Sequence, residues 1–191
     1  MVEPSRDFSG NCCDSSTCAC EMALRRVPFT MHARAEQLMS ALHLQPHPEG
    51  GHYGEVYRSH SRIQPLDGRG ERSALTTIYF LLTAVEVSCW HRVRSDEAWH
   101  HYEGDPLELF TMDGHGGEVV RHLLGPVSHE TQPVHVVPAN SWQAARTTGA
   151  YTLVGCTVGP GFEFEDFRLL REDPQGVASE LLQRPQVAPL L

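Results

Sequence analysis

Cations and long apolar runs are what this chain has least of. Its 191 residues carry 15 Lys+Arg against 24 Asp+Glu, a formal net charge of −9. A nucleic-acid partner needs a basic face to neutralise phosphates, so this balance argues against one. No stretch approaches the ~18 apolar residues that a membrane-spanning helix requires. The start lacks the basic-then-apolar order of a secretory signal. These absences lead to the expectation of a cytoplasmic chain with no membrane partner. A Gly-x-Ser-x-Gly elbow is missing, which removes support for Ser-His-Asp chemistry of the hydrolase type. No Walker-type glycine loop is present, and no repeat of solenoid period.

What remains is ordinary globular material. Hydrophobic residues make up 40% and charged residues 20%, and the length suits one domain with tails. The six cysteines fall into two groups. Cys89 and Cys156 sit in apolar strand-like runs and read as buried free thiols, a usage that fits a reducing compartment. Cys12, Cys13, Cys18 and Cys20 crowd near the N-terminus without a second Cys/His pair at zinc-finger spacing. Residues 1–29 lack periodicity and read as a disordered extension.

From residue 30 the pattern is structured. Thr30 is a plausible N-cap for a short helix whose apolar face is Ala35, Leu38, Met39 and Leu42. Pro46 and Pro48 end it, and Gly50-Gly51 supplies a turn. Then follow strand-like segments: 52–58, 75–83, 87–93, 98–102, 107–112, 118–124, 134–137, 142–145, 151–158 and 162–169. Turn signals separate them, and no helix intervenes. This spacing predicts an all-β sandwich or barrel. Residues 175–183 read as a short C-terminal helix and 184–191 as a tail. The domain therefore runs from 30 to 172, with 173–191 appended.

The segment His91-Arg-Val-Arg-Ser-Asp-Glu97-Ala-Trp-His-His-Tyr-Glu-Gly104 concentrates residue types that bind metals or move protons. Side chains alternate along strands, so His91 and Val93 share a face, as do Glu97, Trp99 and His101. Glu97 is expected to meet His91 across a hairpin. A His–Glu pair in an apolar cavity either ligates a divalent metal or acts as an acid–base pair. It can also be a polar core that does no chemistry. Tyr53, Tyr79, Trp99 and Trp142 are candidates for pocket walls. Tyr79 is singled out as a general acid near His91, and Arg58 as a bidentate contact for an anionic ligand. Phe162, Phe164 and Phe167 read as barrel-closing or interface residues, and Glu163, Glu165 and Asp166 mostly as solvated acids.

The spacing His91-x-Val93, Glu97, Gly104 resembles the first cupin motif, His-x-His, then Glu, then Gly. Pro138-Ala-Asn140-Ser-Trp-Gln143 resembles the second, Pro-x-Gly-x-x-His. The strings HPEGGHYGEVYRS, TTIYFLL, HRVRSDEAWHHYEGDPLEL, VVPANSWQAA and GCTVGPGFEFEDFRL are similar, in order, to the cupin-5 family, a branch of the RmlC-like cupins whose activity is not established. The resemblance spans roughly residues 34–170 and implies a double-stranded β-helix (jelly roll) and a homodimer. Four positions depart from the pattern, among them Val85, where cupins have a glycine before the first histidine. Val93 and Gln143 stand where cupins place histidines that hold a metal, and Asn140 stands where the second motif has glycine. With two of the usual ligands gone, no cofactor is expected.

Three functions follow. The leading expectation is a small-molecule pocket for a sugar, sugar nucleotide or other polyhydroxylated compound, with proton transfer of the epimerase or isomerase type. His91 would be the base, Glu97 its orienting partner and Tyr79 the acid. Tyr53, Arg58, Trp99, His101 and Gln143 would line the pocket. The second is a metal-dependent oxygenase or isomerase with His91, Glu97, Gln143 and His101 around iron, manganese or nickel. The third is a non-enzymatic ligand-binding cupin.

Overall fold

In chain order the elements are α1 (Ala33–Ala41), β1 (Gln45–Pro46), β2 (His52–Arg58), β3 (Arg62–Ile63), β4 (Arg72–Ser73), β5 (Thr76–Thr83), β6 (Ser88–Val93), β7 (Asp96–Gly104), β8 (Leu107–Met112), β9 (Val120–Leu124), β10 (Val134–Val137), β11 (Trp142–Thr147), β12 (Tyr151–Gly159) and β13 (Phe167–Leu169). The computed structural model describes residues 31–113, 117–172 and 188–190. The cysteine-rich extension and the helix expected at 175–183 lie outside the described residues. On either side of the latter are single 3₁₀ turns, Leu170–Glu172 and Ala188–Leu190.

The strands form two main sheets. One has the order β1-β2-β5-β12-β7-β10 and the other β13-β6-β11-β8-β9, with β3-β4 as a separate pair. All strand pairs are antiparallel. This is the all-β arrangement that the strand spacing predicts, in the jelly-roll form that the family resemblance implies. One expectation fails: β6 and β7 do not form a hairpin. They follow each other in sequence but enter opposite sheets, so His91 and Glu97 approach each other across the interior. The strand expected at 162–169 is also shortened. Phe164–Asp166 is a 3₁₀ turn, and only Phe167–Leu169 pairs, with β6.

Period-two alternation decides what faces inward. Phe80 and Leu82 of β5, Trp99 of β7, Leu107 and Leu109 of β8, Ala145 of β11, and Val154 and Cys156 of β12 fill the space between the sheets. Each large apolar side chain fully buried there contributes roughly 1.5–3 kcal/mol. The intervening residues serve two outer layers. Leu81 and Leu153 pack under Ala35 and Leu38 of α1. Trp90, Trp142 and Ala144 on the far side pack with Leu170 and Leu190. The helix is capped by His32, whose Nδ1 accepts from the Arg34 N–H at 3.3 Å; Thr30 lies outside the described residues.

Candidate functional site

The same alternation selects the site. On β11, Trp142 and Ala144 face outward, so Gln143 faces in, directly opposite His91 of β6 in the strand register. On β7, Glu97 shares the inner face with Trp99 and enters from the opposite sheet. Asn140, at the motif's glycine position, adopts φ +66°, a left-handed conformation that asparagine tolerates better than most residues. Its N–H donates to the Val93 carbonyl at 2.8 Å, and this turn sets the start of β11.

A fourth polar residue comes from outside the strands. Glu49 sits in the turn between β1 and β2. Its carbonyl accepts from the Cys89 N–H at 2.8 Å, which stitches the turn onto β6. Gly50 makes that approach possible. It has φ +107°, and a Cβ there would stand 2.1 Å from the Val87 carbonyl oxygen. The carboxylate of Glu49, 6% exposed, thereby reaches His91.

The hydrogen bonds fix the orientation of each group. His91 Nδ1 lies 2.8 Å from the Cys89 carbonyl, an acceptor only, so Nδ1 carries a proton and donates. The Trp99 indole, a donor only, donates to Gln143 Oε1 at 3.0 Å. That contact sets the Gln143 amide: its NH₂ group donates to Glu97 Oε2 at 2.6 Å and faces His91 Nε2 at 3.0 Å. Glu49 Oε2 lies 3.3 Å from the same Nε2. Glu49 Oε1 accepts from the Ser88 hydroxyl at 2.9 Å. When His91 is neutral, its Nε2 lone pair accepts from Gln143; when it is cationic, Nε2–H donates to Glu49.

The two glutamates are pushed apart. Burial raises the Glu49 carboxyl, but attraction to His91, contacts with His47 and the Ser88 hydroxyl outweigh it and hold the acid below its ordinary range. Burial also raises Glu97, and the charge of Glu49 adds to it. The pull of His91 and the Gln143 bond only partly offset these, so Glu97 titrates above the ordinary carboxylate range. Two carboxylates with opposed shifts beside one imidazole are an arrangement suited to separate acid and base roles.

These groups open onto a cavity of about 100 Å³. Its walls include Tyr53, Ile78, Phe80, Val93, Phe162 and Phe164, and its charged lining is Glu49, Glu55, Arg58, Glu97 and Glu163. At the mouth Arg58 donates to Glu55 at 2.8 Å and to Glu163 at 2.9 Å.

The structure therefore brings together His91, Glu97, Gln143, Tyr53 and Arg58, with Trp99 behind Gln143. It leaves Tyr79 and His101 outside. Thr76, Ile78 and Phe80 face the cavity, so Tyr79 faces the other way, packed beside α1 and 6.1 Å from the Tyr102 ring. Tyr79 is therefore not the acid of this site. His101 shares the parity of Glu97 but stands four residues further along β7, about 13 Å away. Its Nε2 is 3.3 Å from the Asp105 carbonyl. Trp142 belongs to the outer layer. Glu49, His47 and Ser88 were not selected by sequence; Glu49 stands within the HPEGGHYGEVYRS string and has no spacing relation to His91. Glu163 and Asp166, expected as solvated acids, are engaged: Glu163 holds Arg58, and Asp166 is 2% exposed.

A family model described as Cupin superfamily (DUF985) matches residues 36–170. The chain is a cupin of that family. It is similar to the solved structure of a hypothetical protein from Leishmania major, with 32% identity over 82% of this chain and 97% of that one, TM-score 0.73. A protein from Shewanella oneidensis matches with 32% identity over 82% and 96% of the two chains, TM-score 0.69. Oxalate decarboxylase from Bacillus subtilis, at 13% identity, covering 80% of this chain and 38% of its own, TM-score 0.52, shares the fold. No curated protein shows significant similarity. Among the described residues no helix is long and apolar enough to cross a membrane.

The motif resemblance implies a metal site, and the donor set of this cupin tests poorly for one. Among the described residues no group of three or more His, Cys, Asp and Glu is placed to hold a metal ion. The third position of the expected ligand set presents amide hydrogens, because Trp99 holds the amide oxygen.

Proposed function

We propose that this cupin binds a small, uncharged, hydroxylated carbonyl compound in the cavity and catalyses isomerisation or epimerisation by proton transfer. The observation that carries this reading is His91 Nε2 set between Glu49, held ionised, and the Gln143–Glu97 pair, with Glu97 raised. His91 Nε2 takes a proton from the carbon next to the ligand carbonyl. Glu49 stabilises the imidazolium so formed, and the Cys89 carbonyl keeps the ring oriented. Glu97 in its protonated form donates a hydrogen bond to the developing oxyanion. His91 returns the proton to the neighbouring carbon, with Glu97 giving its proton to one oxygen and recovering one from the other. For epimerisation it returns the proton to the opposite face of the same carbon, once the enol has turned in the cavity. No oxidant or co-reactant is consumed.

The lining narrows the ligand. Four glutamates against one arginine repel a diphosphate. A volume of about 100 Å³ is below the ~300–1,000 Å³ of pockets that enclose larger ligands. Both features favour a free small polyol or sugar fragment over a sugar nucleotide.

Incubation of the full chain with small aldoses, ketoses and hydroxy-ketones in D₂O, followed by NMR, tests the proposal. The expected result is deuterium wash-in next to a carbonyl of one compound. His91→Ala lowers that rate by about 10²–10⁴-fold, the usual contribution of a general base, while circular dichroism shows that the variant is folded. Full wash-in by a folded His91→Ala variant sinks the assignment.

A further inference from the structure

We infer that Gln143 is a positioning residue that takes the place of a metal ion: its amide bridges His91 and Glu97 from a fixed orientation, and it keeps cations out of the site. The inference rests on the cavity described above but not on any turnover there. His91 has one lone pair available, since Nδ1 donates to the Cys89 carbonyl at 2.8 Å. That lone pair, at Nε2, faces the Gln143 nitrogen at 3.0 Å. The same nitrogen donates to Glu97 Oε2 at 2.6 Å. A transition metal would need both of these lone pairs at roughly 2.0–2.2 Å. The amide uses them first, with one hydrogen for each.

Rotating the amide does not rescue a metal site. A flipped Gln143 would turn its oxygen toward Glu97 and His91, but its NH₂ would then face the Trp99 N–H at 3.0 Å, donor against donor. Trp99 is 1% exposed and packed between the sheets, so turning it away would break the core, and a buried N–H left without its acceptor is costly. Gln143 itself is 1% exposed. The pair Trp99–Gln143 is thus a fixed donor fork where a cation would otherwise sit. The other donors near position 143 are one imidazole nitrogen and two carboxylates, Glu49 and Glu97, which by themselves are not placed as a three-donor group.

The consequence is that a single substitution at 143 creates a site. Gln143→Glu keeps an oxygen for Trp99 and turns the second oxygen toward His91 and Glu97. Gln143→His offers an imidazole instead. Mn²⁺ is the probe, because oxygen and imidazole donors suit it and the thiols of the N-terminal segment do not. Untagged full chain is titrated with Mn²⁺ and free ion is read by electron paramagnetic resonance. The expected outcome is no interior site in the parent, and about one equivalent in Gln143→Glu bound roughly 100-fold more tightly. Glu97→Gln added to that variant removes the gain. Should Gln143→Glu not fold, Gln143→His is read by the same criteria. Two results overturn the inference: one equivalent of Mn²⁺ in the parent that Glu97→Gln abolishes, or a folded position-143 variant that gains no site. Failure of the deuterium experiment leaves this reading untouched, because no substrate enters it.

Discussion

Two buried charge clusters stand on neighbouring parts of this fold and differ in one respect. Around Asp166 both carboxylate oxygens are matched. Its Oδ2 accepts from Arg69 at 3.0 Å and Arg72 at 2.8 Å, its Oδ1 accepts from Arg72 at 3.0 Å, and Arg69 also donates to the Ser95 hydroxyl at 3.0 Å. Burial raises the Asp166 carboxyl, but the bonds from Arg72 and Arg69 outweigh it and hold the acid ionised. Around His91 two carboxylates face one imidazole and an amide, and the cluster borders a cavity. The first cluster has fixed donors for each carboxylate oxygen, so it is structural. The second has more acceptors than donors and borders open space. Burial of charge alone does not distinguish them; the surplus of acceptors does.

The largest effect is expected where the match is complete. Asp166→Ala leaves two buried guanidinium groups without their shared partner, and breaking such a pair costs about 3–5 kcal/mol. Urea unfolding at pH 7 measures it. The loss should also loosen the 3₁₀ turn that carries Phe164, and with it one wall of the cavity. A cost below about 1 kcal/mol, the range of exposed pairs, would mean that the cluster is solvated and that the contrast drawn here is false.

The two glutamates of the cavity sharpen the comparison by sign. Glu49 titrates below its unfolded value, so its stabilisation is present above the unfolded pKa and is lost as pH falls through the folded one. Glu49→Gln is therefore destabilising at neutral pH, by about 1.5–3 kcal/mol for a hydrogen-bonded charge, and the difference shrinks toward acid. Glu97 titrates above its unfolded value, so its contribution is fully present below the unfolded pKa and is lost as pH rises through the folded one. Glu97→Gln keeps the acceptor for Gln143 and removes the ionisation, so at neutral pH the variant is as stable as the parent or more so. Denaturation of both variants between pH 4 and 8 gives the signs. Matching signs would show that the two carboxylates share one environment, and the acid–base division would fall.

The sequence spoke clearly about residues that alternate and poorly about residues held by distant contacts. His91 and Glu97 were legible because strand parity put them inside. Their approach across the barrel, instead of across a hairpin, was not, because a tight turn at Arg94–Ser95 does not say which sheet the next strand joins. Tyr79 was misread, although Thr76, Ile78 and Phe80 already occupied the inner parity of β5. Glu49 depends on one backbone bond to Cys89, forty residues on, and on a glycine pressed against Val87. Asp166 looked solvated within an acidic run because its partners, Arg72 and Arg69, lie 94 and 97 residues earlier in the chain. Local pattern reports faces, and only the folded topology reports neighbours.

The smallest effect on stability is expected at Arg58. Its guanidinium is paired with Glu55 and Glu163 at the half-exposed mouth, where ion pairs are worth about 0–1 kcal/mol. Arg58→Met should leave the thermal midpoint nearly unchanged. Its role is electrostatic, since it pairs with two of the four glutamates that line the cavity and offsets one of their charges. Removing it makes the mouth more negative by one charge, which should weaken the entry of anions and leave a neutral ligand bound within about two-fold, with the difference fading as salt is raised. Isothermal titration with the compound that shows deuterium wash-in reads the neutral case, and its carboxylate analogue reads the anionic one. A loss of more than about ten-fold for the neutral ligand, worth ~1.4 kcal/mol, would mean that Arg58 leaves its two glutamates and grips the ligand directly. In that case the mouth, and not the His91 cluster, would hold the surplus that marks this cavity as functional.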